Sequence, residues 1–595
     1  EQGIKRLSRF MLWIVVVTLV IVFSVNIALK GTDQVFIQLL FAIALAVSVI
    51  PEALPAIVTL TFTQGALKLS RKKVVVKRLS SIEDLGHIQV LCTDKTGTIT
   101  KNEMAVKTVV AKDQEECMHL ALLTSEGEPS TFDLAIQAAR PTTDLLTTWK
   151  TIWSLPFDPE RKRGSVVVHK QSITQLVTKG APEVILDLCS DVGIKSDMLK
   201  KAENLGRQGL RVLAVAYKLH PIQNADGVYA EDRLTFAGLI GFEDPLKETA
   251  KQAIREAEEL GVQVKILTGD GPEVARAVAA QVGILDQAEP VITGPEFRQM
   301  TSAEKQQVVE KNHVFARVTP EEKYSIIQHL QHTYVVGFLG EGINDAPALQ
   351  LSNIGLVVQN ASDVAREAAD IILLDKSLEV IIDGIKQGRE IFANVSKYIR
   401  YTLVGNFGGF YAIAGISLLI PFLPMLPTQI LLNNLLTDLP LLAVAGDYVD
   451  PEEIKKPQFY NIREFAFMGI LLGLVSSTFD FVFFALFRNS SPETIQTLWF
   501  ILSVLTELTS IFLLRSRKFF LRAKRPRWSL VIPVICVSLL TLMLPFIPFT
   551  ADVFHLIKPT MLQLSVLGGI VLVYLIVTEV SKLIYYRVGL GTGKS

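Results

Sequence analysis

Two long apolar runs open this chain, six more close it, and a long polar stretch, residues 67–400, separates the two groups. A helix needs about 20 apolar residues to cross the hydrocarbon of a bilayer. Runs of that kind fall at residues 8–29, 34–63, 401–420, 426–445, 465–487, 494–514, 528–547 and 562–585. The pattern excludes a single water-soluble globule. It also excludes a wholly membrane-buried protein, because 20% of the 595 residues are charged although 49% are hydrophobic. A chain of this length divides into several domains.

Basic residues orient the spans, because loops rich in Lys and Arg stay in the cytoplasm. Lys5, Arg6 and Arg9 precede the first run, and Lys68, Arg71, Lys72, Lys73, Lys77 and Arg78 follow the second. Lys455, Lys456 and Arg463 follow the fourth. Arg515, Arg517, Lys518, Arg522, Lys524, Arg525 and Arg527 follow the sixth. Both chain ends and the large polar stretch are therefore expected in the cytoplasm, with the bilayer as a lipid partner. Net charge is zero, so no global field points to nucleic acid. Cys92, Cys117, Cys189 and Cys536 form no CxxC pair and read as reduced thiols. The sequence shows no signal peptide. Opening on Glu1 just before a span, it reads as a fragment without its natural start.

Within the polar stretch, short β-branched runs at residues 88–92, 262–267, 334–338, 354–358 and 371–374 alternate with helical segments. That alternation predicts a parallel α/β sheet covered by helices. Residues 105–242 interrupt it and read as a second domain inserted into the first. The expected order is two membrane helices (1–66), the first part of an α/β domain (67–104), the insert (105–242), the second α/β part (243–400), six membrane helices (401–586) and a tail (587–595).

Ligands of parallel α/β sheets bind beyond the carboxyl ends of the strands. Three runs end there in Thr93-Asp94-Lys95-Thr96-Gly97-Thr98, in Thr268-Gly269-Asp270 and in Gly340-Glu341-Gly342-Ile343-Asn344-Asp345. Lys323 precedes the third run. The set suits phosphoryl transfer. Asp94 is a carboxylate nucleophile able to carry a phosphoryl group. Glu341 and Asp345, with Asp94 and Thr96, can hold Mg²⁺, which takes one or two carboxylates plus phosphate oxygens and water. Thr268 and Gly269 can donate hydrogen bonds to phosphate oxygens, and Lys323 can stabilise transition-state charge. Lys95, Asp270 and Asn344 complete the catalytic set. Any one motif alone would pass for an ordinary strand-end turn; three in order on successive strands do not. In the insert, Phe157 offers a face on which adenine can stack. Lys179 and Arg211, with Arg317 outside the insert, offer cations for phosphates.

Asp94-Lys95-Thr96-Gly97-Thr98-Ile99-Thr100 resembles the phosphorylation signature of the P-type ATPases. Thr268-Gly269-Asp270 and Gly342-Ile343-Asn344-Asp345-Ala346-Pro347-Ala348-Leu349 resemble two further motifs of that family. Phe157 and Lys179-Gly180-Ala181-Pro182-Glu183 look like its nucleotide pocket, with Asp133 as an acidic residue near adenine. Asp244-Pro245 resembles a hinge, and Pro51-Glu52-Ala53-Leu54-Pro55 resembles its ion-site break. The resemblance covers essentially the whole chain. It implies an α-helical transmembrane bundle, a haloacid-dehalogenase-like α/β phosphorylation domain and an inserted α+β nucleotide-binding domain. It further implies ATP as phosphoryl donor, Mg²⁺ as cofactor, and an integral membrane protein of a bacterial plasma membrane. Two departures stand out. Glu341 occupies a position where the family usually has Asp. No Thr-Gly-Glu-Ser-like loop is present, so an actuator domain and two helices of the same polypeptide are expected upstream.

Charged groups inside spans are costly and usually functional. Glu52 lies between two prolines, which free backbone carbonyls for a cation. Asn434 and Asp438, four apart, share a helix face, and Asn406 and Asp480 add oxygens from neighbouring spans. Glu507 and Glu579 are further acidic groups in the sixth and eighth spans. Pro421-Phe422-Leu423-Pro424-Met425-Leu426-Pro427 and residues 476–480 are similar to bacterial magnesium-importing members. Leu435-Leu436-Thr437-Asp438 is shared equally with calcium pumps, which carry a glutamate about where Gly409 stands. Mg²⁺ is thus the expected transported cation, with Ca²⁺ the alternative. A membrane-anchored phosphatase of the same fold is the alternative of another class. It would need an acid/base two residues after the nucleophile, where Thr96 stands. A non-catalytic scaffold fits the intact Asp94, Lys323 and Asp345 set poorly.

Overall fold

The computed structural model describes residues 53–588 except 102, 125–128, 140–148, 159, 224–226, 286–288 and 376, together with scattered helical positions between 13 and 46. Pro51 and Glu52, and with them the expected ion-site break, lie outside the described residues, as do the two opening spans for the most part. The chain forms two compact units. One comprises residues 73–77 and 88–383; the other comprises residues 1–72, 78–87 and 384–595.

The first unit contains two sheets. The larger has eight strands: β1 (Val74–Val76), β2 (Val90–Thr93), β9 (Gln263–Leu267), β10 (Ile292–Thr293), β11 (Val314–Ala316), β12 (Val336–Gly340), β13 (Ile354–Val358) and β14 (Ile371–Leu373). Their order is β1-β14-β13-β12-β2-β9-β11-β10. All neighbours are parallel except β1, which closes one edge antiparallel to β14. β2, β12 and β13 are buried along their whole length, as expected when helices cover both faces of a parallel sheet. β2 lies between β9 and β12. The three strands that end in the three polar motifs are therefore side by side, and the motifs share one edge.

The smaller sheet is antiparallel and has six strands: β3 (Ala105–Ala111), β4 (Lys150–Asp158), β5 (Arg163–Lys170), β6 (Ile173–Gly180), β7 (Arg211–Leu219) and β8 (Thr235–Glu243), ordered β3-β8-β7-β6-β5-β4. Val166, Val177, Val215 and Ile240 face the helices Gln114–Leu123 and Thr131–Ala139; Val167, Leu176, Ala214 and Leu239 face the other side. This period-two alternation fixes the register of a sheet covered on both faces. Its first and last strands are neighbours, so the chain enters and leaves through adjacent segments. There Thr100 bridges to Leu246 and its hydroxyl donates to Asp244 at 2.6 Å.

The second unit is helical: α1 (Leu54–Arg71), α2 (Leu378–Ser417, from Gly384 onward), α3 (Pro427–Leu441), α4 (Ile462–Phe487), α5 (Pro492–Leu514), α6 (Trp528–Met543) and α7 (Met561–Arg587). Among the described residues, five helical segments have the length and composition to cross a membrane: Pro427–Gly446, Arg463–Phe487, Pro492–Leu514, Trp528–Phe546 and Met561–Arg587. The expected span at 401–420 is the second half of α2, a 40-residue helix. The expected domain boundary at residue 400 and the observed unit boundary at Asp383 differ for this reason. Lys397 and Arg400, polar in sequence, are buried in the helical unit against Asp447 and Glu453.

Candidate active site and ion cavity

Asp94 follows β2, Glu341 and Asp345 follow β12, and Lys323 lies in the first turn of the helix Pro320–Leu330. Thr319 and Glu322 cap that helix reciprocally, and Pro320 stands at its start. Such a capping box pins the first turn and so places Lys323. Its ammonium lies 3.0 Å from Asp94 Oδ2 and 3.1 Å from Asp345 Oδ1. Burial alone would lower its pKa, but Asp94 and Asp345 outweigh that and hold it above the ordinary lysine value. The other oxygen of Asp345 accepts the backbone N–H groups of Glu341 and Gly342 at 3.1 and 3.2 Å. Gly97 has φ +77°, and a Cβ there would lie 3.1 Å from Glu341 Oε1. Glu341 is thus folded onto the turn that carries Asp94.

Lys95 and Asp270 stand behind this group. Lys95 is buried and pairs with Asp270 at 2.5 Å. Arg211, at the start of β7, pairs with Asp270 from the other side. Burial would raise the pKa of Asp270; Lys95 and Arg211 reverse this and hold it below the usual carboxylate range. Thr268 Oγ1 accepts the Asp270 N–H at 3.2 Å, and Arg317, at φ +49°, donates its N–H to the Asp270 carbonyl at 2.9 Å. Thr96, Gly269 and Asn344 belong to the same three loops. Among the described residues, no group of three or more His, Cys, Asp or Glu could hold a metal ion by itself. Asp94 and Asp345 share one cation, and Glu341 is beside them. One or two carboxylates of this kind fit Mg²⁺ completed by phosphate oxygens and water.

In the insert, Phe157 is 63% exposed on β4, unlike a core aromatic. Gly164 on β5 lies beside it: a Cβ at Gly164 would stand 3.1 Å from the Phe157 nitrogen. Gly164 in turn pairs with Lys179 on β6. Phe157, a bare glycine and Lys179 thus follow one another across three strands and form a shallow cradle with an aromatic wall. Lys179 pairs with Asp133, which also accepts from the Ser130 N–H and hydroxyl at 2.9 and 2.5 Å. Burial lowers the Lys179 pKa, and Asp133 only partly offsets it. Arg211 is elsewhere. It precedes by four residues Val215, the partner of Lys179, about 13 Å along the strand, and joins Asp270 in the loop after β9.

The helical unit encloses a cavity of about 60 Å³. Asn406, Asn434, Asp438 and Asp480 all line it, together with Glu507 and Asn433. The Asn433 amide donates to both Glu507 oxygens at 3.4 Å, and Trp499 donates to Asp480 at 2.8 Å. Gly409 also lines the cavity, and a Cβ there would meet nothing within 4 Å. Glu579, by contrast, accepts the Phe520 N–H at 2.9 Å and pairs with Lys582 at 2.9 Å, in a structural role.

The sequence matches the family description "P-type ATPase, cytoplasmic domain N" over residues 81–249 and "Cation transporting ATPase, C-terminus" over residues 422–584. It is 39% identical to the "Magnesium-transporting ATPase, P-type 1" of Escherichia coli (strain K12) over 582 residues, 93% of this chain and 64% of that protein. It is 37% identical to a protein of the same name from Salmonella typhimurium (strain LT2) over 621 residues, 99% of this chain and 68% of the relative. The "Calcium-transporting ATPase" of Bacillus subtilis is 29% identical over 94% of this chain and 71% of its own length. The chain spans about two thirds of the length of these relatives. It belongs to the P-type cation-transporting ATPases.

As a member of that family it is an integral membrane protein. Two further side chains lie at or beside these candidate sites, one weakly signalled in sequence and one not at all. Glu507 was visible as an acidic residue in a span, but its place opposite Asn433 depends on how α3 and α5 pack. Glu231 carried no signal. It accepts both Arg161 and Arg163, at 2.6 and 2.7 Å, and the Ser165 hydroxyl at 2.6 Å, and so braces the β4–β5 hairpin that bears Phe157.

Proposed function

We propose that this chain is the catalytic and translocating part of a pump that uses ATP to move a divalent cation, Mg²⁺, across a bacterial plasma membrane. Adenine stacks on Phe157, with Lys179 and Asp133 at the base of the cradle. The triphosphate extends toward Arg211 and the loops around Asp94. An Asp94 carboxylate oxygen attacks the γ-phosphorus, the bond to the bridging β–γ oxygen breaks, and ADP leaves with the electron pair. Lys323 balances the charge spread over the transferring group, and the backbone of Thr268-Gly269 donates to its oxygens. Asp94, Thr96, Glu341 and Asp345 would hold a catalytic Mg²⁺, which when bound would neutralise phosphate charge. Without an acid/base at Thr96, water is not activated locally, so the aspartyl phosphate persists long enough to drive transport.

The observation that carries the reading is the meeting of Asp94, Lys323 and Asp345 within 3.1 Å at the ends of two adjacent strands. The choice of Mg²⁺ is supported by the relatives named as magnesium transporters and by the absence of a side chain at Gly409. Asn406, Asn434, Asp438 and Asp480 contribute to the transported ion's site, with Glu507 added by the cavity; Glu52 is proposed as a further ligand. The upstream actuator domain and two further helices are proposed as the remaining part of the pump. The test is acid-stable, hydroxylamine-labile labelling of the complete protein with radiolabelled ATP. Asp94→Asn should abolish the label while ATP still binds. Asp438→Asn should raise the Mg²⁺ needed for cation-dependent phosphorylation. Normal labelling of Asp94→Asn refutes the catalytic assignment; a shift for Ca²⁺ alone overturns the choice of cargo.

A further inference from the structure

The loop joining α5 to α6, residues 515–527, holds seven basic residues: Arg515, Arg517, Lys518, Arg522, Lys524, Arg525 and Arg527. The structure divides them. Arg515 is buried and pairs with Asp447 at 2.8 Å. Arg517 pairs with Glu464 at 3.7 Å, and Lys518 with Glu452 at 2.8 Å. Lys524 and Arg527 lie over the Tyr448 ring at 5.2 and 5.3 Å. Arg522 and Arg525 are exposed and, among the described residues, face no carboxylate within ion-pair distance.

The backbone of the loop is held just as firmly. Asp450 accepts the Lys524 N–H at 2.8 Å and the Ser516 hydroxyl at 2.5 Å. Asp447 accepts the Arg527 N–H at 3.1 Å, and Glu579 accepts the Phe520 N–H at 2.9 Å. The inner charges are thus spent on fixing the loop. Its outer side presents a single helical turn, closed by Arg522 and Ala523 N–H groups on the Phe519 carbonyl at 2.8 and 3.1 Å. Phe519 and Phe520 there are 36% and 41% exposed, and Leu521 and Trp528 are both 73% exposed. Trp528 begins a membrane-crossing helix, so the loop lies at the depth of the lipid headgroups, where Trp concentrates.

We propose that this loop is a docking site for anionic phospholipid. Arg522 and Arg525 bind headgroup phosphates, and Phe519, Phe520, Leu521 and Trp528 enter the adjoining acyl boundary. Unpaired guanidinium groups recognise phosphate oxygens through paired N–H donors. Basic residues beside a membrane span are drawn to anionic lipid. An apolar cluster at the same depth avoids water only by entering the interface.

The test uses the full chain and native mass spectrometry, comparing retained phosphatidylglycerol with retained phosphatidylcholine. Each arginine near an anionic surface contributes roughly a factor of five, so Arg522→Gln with Arg525→Gln should reduce the preference for phosphatidylglycerol about twenty-five-fold. Arg522→Lys with Arg525→Lys should keep most of it. Phe519→Ser with Phe520→Ser should weaken retention of both lipids and leave the preference unchanged. An unaltered preference in the glutamine variant overturns the assignment. Displacement of phosphatidylglycerol by inorganic phosphate at equal concentration also overturns it, since the loop would then be a phosphate site and not a lipid dock.

Discussion

Replacing Gly97 by alanine should damage the catalytic loop in two separable ways. The first is conformational. Gly97 sits at φ +77°, a region that costs an L-residue about 1–2 kcal/mol. The second is steric. The new Cβ would lie 3.1, 3.5 and 3.7 Å from Oε1, Oε2 and Cδ of Glu341, so Glu341 must move by a few tenths of an ångström. Gly97→Ala should therefore lower the unfolding free energy of the cytosolic unit by about 1–2 kcal/mol and raise the Mg²⁺ concentration that half-saturates phosphorylation. Gly97→Asn carries the same Cβ but tolerates the left-handed region better. It should recover much of the stability and none of the metal dependence. Glu341→Asp, one methylene shorter, should relieve the crowding, so Gly97→Ala/Glu341→Asp should be less impaired in Mg²⁺ dependence than the single effects predict. Thermal unfolding and phosphoenzyme titration in Mg²⁺ measure the two effects. The reasoning is refuted if Gly97→Ala matches the parent in both, or if Glu341→Asp adds to the metal defect.

Gly409→Glu should be accommodated, because the position opens into the cavity; cation-dependent phosphorylation should then respond to lower Ca²⁺, and an unchanged Ca²⁺ response would show that a carboxylate there does not reach the ion. Glu231→Gln should weaken ATP binding, since one partly buried charged acceptor holding Arg161 and Arg163 contributes on the order of 1–3 kcal/mol; equal affinity in a nucleotide titration would show that the hairpin needs no brace. Lys265 is buried, donates to the Glu310 and Asn312 carbonyls at 3.4 and 2.7 Å, and has its pKa lowered by burial from 10.5 to about 8. Between those values the unfolded chain binds the extra proton, so stability rises with pH there, by on the order of 3 kcal/mol; Lys265→Met should flatten that rise, and an equally steep pH profile would refute the assignment.

The larger sheet was legible because its strands are continuous β-branched runs bounded by glycine and polar turns. Ile354–Val358 is identical in sequence reading and structure, and Gln263–Leu267 differs by one residue. Val74–Val76, Ile292–Thr293 and Val314–Ala316 escaped notice. At two or three residues they are too short to show a period, and only their neighbours make them strands. The long helix α2 was cut at residue 400 because hydropathy marks where a helix meets lipid, not where it begins. Lys397 and Arg400 look like solvent-facing residues in sequence, yet buried acidic partners from Asp447 and Glu453 make them interior.

The candidate sites divide along the same line. Asp94, Lys323, Asp345 and Glu341 could be placed together because the parallel topology forces consecutive strand ends onto one edge. No comparable rule brings together residues of antiparallel strands and packed helices. Arg211 illustrates the difference. Its charge made it a candidate for phosphates beside Lys179, but register puts it about four residues away along β7, where it meets Asp270. That displacement makes the arrangement more useful for phosphoryl transfer. In the proposed reading, a nucleotide stacked on Phe157 spans the distance from adenine to γ-phosphate before it reaches Asp94, and a cation along the way would balance its charge. Arg211 would supply it from the smaller sheet, where Asp270, itself held by Lys95, fixes it to the loops around Asp94. On that reading both sheets contribute to one substrate, and the ion pair of Arg211 with Asp270 links them.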